Sequence, residues 1–210
     1  MSLSYAIFTG FLAAAAHVFS GPDHLAAVAP FAVGSTRKSW KIGLFWGLGH
    51  LAGMLLIGIL FTMLKDFPPL ELISSYSESL VGVVLVGVGI WAIYKAFFPK
   101  NSIIEDGSHH HHHGRKANIA SFSIGSLHGL AGVAHFILFL PVLGFENSGE
   151  AAFYITGFAL GTVAAMIFFT FLLGYMGVFG KNDKRAFMKI LRLITGIAAI
   201  GVGIYWMFIN

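Results

Sequence analysis

The chain has 210 residues, of which 57% are hydrophobic and only 10% charged, and its mean hydropathy is +0.80. Soluble domains carry about a quarter charged residues, so the composition is that of a membrane protein and leaves no room for a soluble domain. The formal net charge of +4 is spread over loops rather than gathered in a nucleic-acid-binding patch, and the absence of cysteine excludes disulfide and thiol-relay chemistry and the thiolate ligands of Cu(I) and iron–sulfur clusters.

The first apolar stretch runs over about 5–33 and is interrupted by Gly21-Pro22. No Lys or Arg precedes it, which argues against a cleaved signal peptide, although the alanines at 13–16 resemble a cleavage site. It carries His17, Asp23, His24 and Pro30. Ionisable residues at membrane depth are costly and are by default functional candidates. Asp23 is the one carboxylate that the sequence places deep in a span. On an unbroken helix His17 and His24 would lie about 10 Å apart, too far for one metal bound at ~2.1 Å. Unwinding at Gly21-Pro22 would let His17, Asp23 and His24 converge.

The second stretch, 41–64, carries His50 between glycines in Phe45-Trp46-Gly47-Leu48-Gly49-His50. The third spans 79–98. A loop at 99–118 follows, with five consecutive histidines, His109, His110, His111, His112 and His113, after Gly107-Ser108. That run reads either as an accessory metal-buffering loop or as an engineered tag. The fourth stretch, 119–143, carries His128, His135 and Pro141, and the last two cover 151–176 and 188–208. Glycine pairs Gly43/Gly47, Gly49/Gly53 and Gly157/Gly161 have the spacing that lets membrane helices approach closely.

Charge follows these spans. Arg37, Lys38 and Lys41 lie between spans 1 and 2; Lys95, Lys100, Arg115 and Lys116 between 3 and 4; Lys181, Lys184, Arg185, Lys189 and Arg192 between 5 and 6. The alternate loops carry Asp66, Glu71 and Glu78, then Glu146 and Glu150, with Lys65 their single base. The positive-inside rule makes the basic loops cytoplasmic and turns both termini outward.

The chain also repeats itself. A shift of 111 residues places His17, Gly21, His24 and Pro30 on His128, Gly132, His135 and Pro141. A shift of 112 places Gly49 and Met54 on Gly161 and Met166, with Thr162 opposite His50, and a shift of 114 places Gly87-Val88-Gly89-Ile90 on Gly201-Val202-Gly203-Ile204. Three spans per copy make the second copy enter the membrane from the other side, the inverted-repeat plan of many secondary transporters. The expected fold is therefore an all-α polytopic membrane protein of six transmembrane helices in two inverted three-helix repeats, 1–98 and 119–210, joined by the His-rich loop 99–118. Span 1 is discontinuous. Gly132-Val133 lacks the proline, so a break in span 4 is left open.

Imidazole with carboxylate suits Ni, Co, Zn or Cu(II) and disfavours Mg and Ca. The candidate ligands are His17, Asp23, His24, His50, His128 and His135. Two other readings stand beside this one. Intramembrane histidines also hydrogen-bond between helices without binding anything, and they can relay protons for a carrier that exports a non-metal solute or anion. A metal sensor would need an output domain for which the short loops leave no space. The sequence has no Gly-x-x-x-x-Gly-Lys-Ser/Thr motif for ATP.

The run His17-Val-Phe-Ser-Gly-Pro-Asp23-His24-Leu25-Ala26-Ala27-Val28 resembles the first-span signature of the nickel/cobalt transporter superfamily, closest to its short, urease-accessory-type nickel permease branch. Phe45-x-x-x-Gly49-His50 is similar to that family's second-span motif, and Leu127-His128-Gly129-Leu130-Ala131-Gly132 to the short branch's fourth-span motif. Five residues separate His17 from Asp23 where the longer permeases have four. The resemblance implies a secondary transporter, no enzyme, in a prokaryotic cytoplasmic membrane. Ni(II), or secondarily Co(II), would be its cargo, with no resident cofactor. The implied partners are the divalent metal and the lipid bilayer, without nucleic acid; a homo-oligomer stays open and a metallochaperone unspecified.

Overall fold

The computed structural model describes residues 2–33, 38–63, 70–98, 110–131, 144–145, 147–176 and 184–208, without side chains over 60–63, 70–75, 77, 110–115 and 184–185. Among them every regular element is helical: α1 (Leu3–Ser20), α2 (Pro22–Ala32), α3 (Ser39–Met63), α4 (Leu70–Phe97), α5 (His110–Leu130), α6 (Ser148–Met176) and α7 (Lys184–Phe208). Five stretches of these helices, Leu3–Ser20, Ser39–Ile59, Glu78–Phe97, Ser148–Met176 and Ala186–Phe208, are long and apolar enough to cross a membrane. The expected fourth span is described only as far as Ala131, so a break at Gly132 falls outside the described residues.

The first stretch is broken where the sequence places the break. Ser2 caps α1 by accepting a hydrogen bond from the Tyr5 N–H at 3.3 Å. α1 ends at Gly21, whose N–H donates to the His17 carbonyl at 3.0 Å. Gly21 has extended backbone angles, φ −86° and ψ 101°, and Pro22 opens α2, the helical position at which a missing N–H costs nothing. Asp23 then falls in the first turn of α2, where a negative charge complements the helix dipole.

α1 packs along α6, α3 lies between α5 and α6, and α4 pairs with α7. α2 touches all six other helices, so it forms the interior of the bundle. Its sequence suits that place, because Ala26, Ala27, Val28, Ala29, Pro30 and Ala32 are all buried and small enough to admit them. Outside, large apolar side chains such as Phe8, Leu12, Leu55, Leu56, Ile59, Phe168, Ile194 and Ile197 are exposed, while Asp23, His24, His50, His128 and Thr162 are buried. A polar interior inside an apolar coat is the arrangement a bilayer selects and water penalises.

Glycine sets the helix spacing. A Cβ on Gly43 would strike the Met166 carbonyl, on Gly49 that of Phe122, on Gly53 that of Ser126, and on Gly157 that of Ile7. All three glycine pairs read from the sequence therefore stand at helix contacts, Gly47 against Val163 and Gly161 against Phe11 completing them. Gly82 and Gly89 of α4 meet Gly203 and Gly196 of α7 in the same way.

Several helices begin ahead of the apolar stretches read from the sequence, α4 at Leu70 rather than 79 and α7 at Lys184 rather than 188 among them. α5 begins at His110 rather than near 119, because Arg115, Lys116 and Ala117 are good helix formers that prolong the helix beyond its apolar part. α6 begins at Ser148 rather than 151, which draws Glu150 out of the expected loop and into a buried position in the first helical turn.

Candidate metal centre

The break at Gly21 brings together side chains that a continuous helix would hold apart. The rings of His17, at the end of α1, and His24, at the start of α2, have centroids 4.5 Å apart and lie nearly perpendicular, at 85°. Asp23 Oδ1 is 3.0 Å from His24 Nδ1. Gly21 leaves space for this pair, since a Cβ there would collide with His24 Nδ1 and approach Asp23 Oδ1 to 2.8 Å. Glycine is needed here for room, and its φ is one that any residue could adopt.

α3 and α5 add one ring each. Gly125 and Gly129 of α5 press against the carbonyls of Trp46 and His50, an approach that any side chain would block. At that separation the His50 and His128 rings lie 5.7 Å apart, and both face His24, at 5.4 and 4.7 Å. His128 Nε2 is 2.9 Å from the second oxygen of Asp23, Oδ2. Asp23, His24, His50 and His128 are buried and His17 is half-buried. Two groups have ligating atoms all within 4.8 Å of one another: His17, His24 and His50, and Asp23, His24 and His128. Imidazole nitrogen with one carboxylate in a closed cluster is a donor set for a borderline-soft divalent cation.

Neither a family model nor a solved structure matches the chain. Urease accessory protein UreH of Bacillus sp. (strain TB-90) is 32% identical over 207 residues, an alignment that covers 95% of this chain and 89% of that protein. The chain belongs to the UreH family. Two Arabidopsis thaliana proteins are also similar: chloroplast protein FOR GROWTH AND FERTILITY 2, 35% identical over 94% of this chain, and FOR GROWTH AND FERTILITY 1, 32% identical over 94%. The chain spans 54% and 57% of their lengths, about half of each. None of these three names describes an enzymatic activity.

Of the residues singled out in the sequence, this UreH-family structure gathers His17, Asp23, His24, His50 and His128. His135, Pro141 and His109 lie outside the described residues. His110, His111, His112 and His113 form the start of α5. Thr162, which the shift of 112 residues sets opposite His50, is buried and donates its hydroxyl to the Phe158 carbonyl of its own helix at 2.9 Å. Sequence reasoning missed the walls. Trp46 stacks on His50 at 5.0 Å and 12° and lies 5.4 and 5.5 Å from His24 and His128. Trp206 of α7 lies against His128 at 5.4 Å. Trp46 was legible as the residue one helical turn before His50, on the same face; nothing local marks Trp206.

Proposed function

We propose that the chain is a secondary membrane transporter of a divalent transition-metal cation, nickel first and cobalt second, bound at the site formed by His17, Asp23, His24, His50 and His128. The observation that carries this reading is the gathering of four imidazoles and one carboxylate, all buried except the half-buried His17, as a single cluster inside a bundle whose outer surface is apolar. The bacterial relative's name associates it with urease and so favours a nickel-related accessory or transport role. Membrane insertion is in the bacterial cytoplasmic membrane; the plant relatives are named as chloroplast proteins.

The carrier has six spans in two inverted repeats, with both termini outside. Helix contacts support the repeats. The α1–α6 pairing becomes the α5–α3 pairing when the two halves are exchanged. The Gly49–Phe122 contact likewise becomes Gly161–Phe11, and Gly82–Gly203 becomes Gly196–Gly89. Alternating exposure then follows from rocking one repeat against the other around a fixed central site.

A second reading has one specific observation in its favour: Asp23 bridges His24 and His128, a chain of groups able to pass protons for another solute. Uptake into proteoliposomes across a panel of cations, with and without a proton gradient, separates the two. The metal reading expects Ni(II) or Co(II) to accumulate and the His24→Ala variant to lose accumulation. Proton flux through the wild type with no metal uptake would favour the relay.

A further inference from the structure

The cluster contains two overlapping trios that share one ring. One nitrogen each from His17, His24 and His50 forms the first, and groups from Asp23, His24 and His128 form the second. They differ in kind. The members of the second are within hydrogen-bonding distance through Asp23, its Oδ1 3.0 Å from His24 Nδ1 and its Oδ2 2.9 Å from His128 Nε2. An ionised carboxylate can only accept, so both rings donate an N–H to it. A neutral His24 then carries its proton on Nδ1 and has its lone pair on Nε2. Metal-binding histidines commonly donate their other ring N–H to a carboxylate, which sets tautomer and ring orientation.

Resting on the metal-site reading above, we propose that Asp23 is a positioning residue and that the cation is held by His17, by Nε2 of His24 and by His50. Asp23 holds the His24 ring, and His128 holds Asp23 from the far side. Three further features belong to this division of labour. Gly21 has no side chain to intrude on the Asp23–His24 contact. Trp46 stacks on His50 and so limits the orientation of the third ring. The three rings of the first trio come from α1, α2 and α3, all in the first repeat, whereas His128 comes from α5. The carboxylate's charge reaches the dication through one imidazole, and the second repeat acts on the metal through Asp23.

The test is Ni K-edge X-ray absorption on the purified full-length chain loaded with one equivalent of Ni(II), counting imidazoles from their multiple-scattering signature, alongside calorimetric affinity. His17→Ala should lower the count by one or abolish binding. His128→Ala should leave the count unchanged. Asp23→Asn keeps an oxygen that can accept from His24 Nδ1–H; it should retain the imidazole count and lose about 10- to 100-fold in affinity, the usual cost of an outer-shell partner. Loss of an imidazole or of binding in His128→Ala, or abolished binding in Asp23→Asn while His128→Ala still binds, puts the second trio in the coordination sphere and overturns the proposal. A wild-type chain that binds neither Ni(II) nor Co(II) overturns the metal reading itself, a distinct failure visible before any variant is made.

Discussion

Gly21 shows how little freedom the site leaves at single positions. A methyl group there would occupy the space of His24 Nδ1 and crowd Asp23 Oδ1. Gly21→Ala should therefore push the two side chains apart and weaken Ni(II) binding by at least about tenfold, while overpacking costs about 1–3 kcal/mol of stability. Calorimetry on a variant that still elutes as a folded species checks both. Protons compete with a metal for the same imidazole nitrogens, so affinity should fall as pH is lowered, and binding should release protons into weakly buffered solution. A pH-independent affinity between pH 5 and 8 would mean that histidine nitrogen is not the ligand. The chemistry-bearing residues were legible at this scale because histidine and aspartate in an apolar run have no cheap structural explanation. Trp206 was not, because an aromatic residue in an apolar helix looks like any other core residue until its neighbours are known, and Trp46 is marked only by its place one helical turn before His50.

Among the helices, the break between α1 and α2 does the geometric work. Pro22→Ala restores an N–H and removes the ring that starts a new helix, which favours a straighter segment and a larger His17–His24 separation. Transport should drop several-fold while membrane insertion persists, as measured by uptake against the amount of protein in the membrane. The α3–α5 contact is the second positional requirement. Gly125→Val would force α5 away from the Trp46 carbonyl and carry His128 away from Asp23. Gly-Pro made the break readable in the sequence, and glycines four apart made three helix contacts readable. The α4–α7 contact was not, since its glycines stand seven apart in each helix and acquire meaning only when the helices are paired. The early start of α5 at His110 was hidden for a related reason: polar residues prolong a helix without leaving an apolar pattern.

At the scale of the whole molecule, the proposed carrier is pseudo-symmetric with an asymmetric centre: His50 joins the cluster, while Thr162, opposite it in the repeat, gives its hydroxyl to the Phe158 carbonyl. In the proposed orientation its basic loops face the cytoplasm. Cysteines introduced at Lys38 and Lys116, both exposed in a chain without native cysteine, should react with a membrane-permeant thiol reagent and resist an impermeant one applied to intact cells. Labelling of both by the impermeant reagent would reverse the topology. The central claim is that metal binds in the buried cluster and that the five-histidine run is accessory. Calorimetric titration of purified protein with Ni(II) tests it most directly, comparing wild type, His17→Ala, His24→Ala and a deletion of His109 to His113. The account predicts that binding weakens or disappears in each point variant and survives the deletion unchanged. Binding that survives both substitutions and vanishes with the deletion would contradict it.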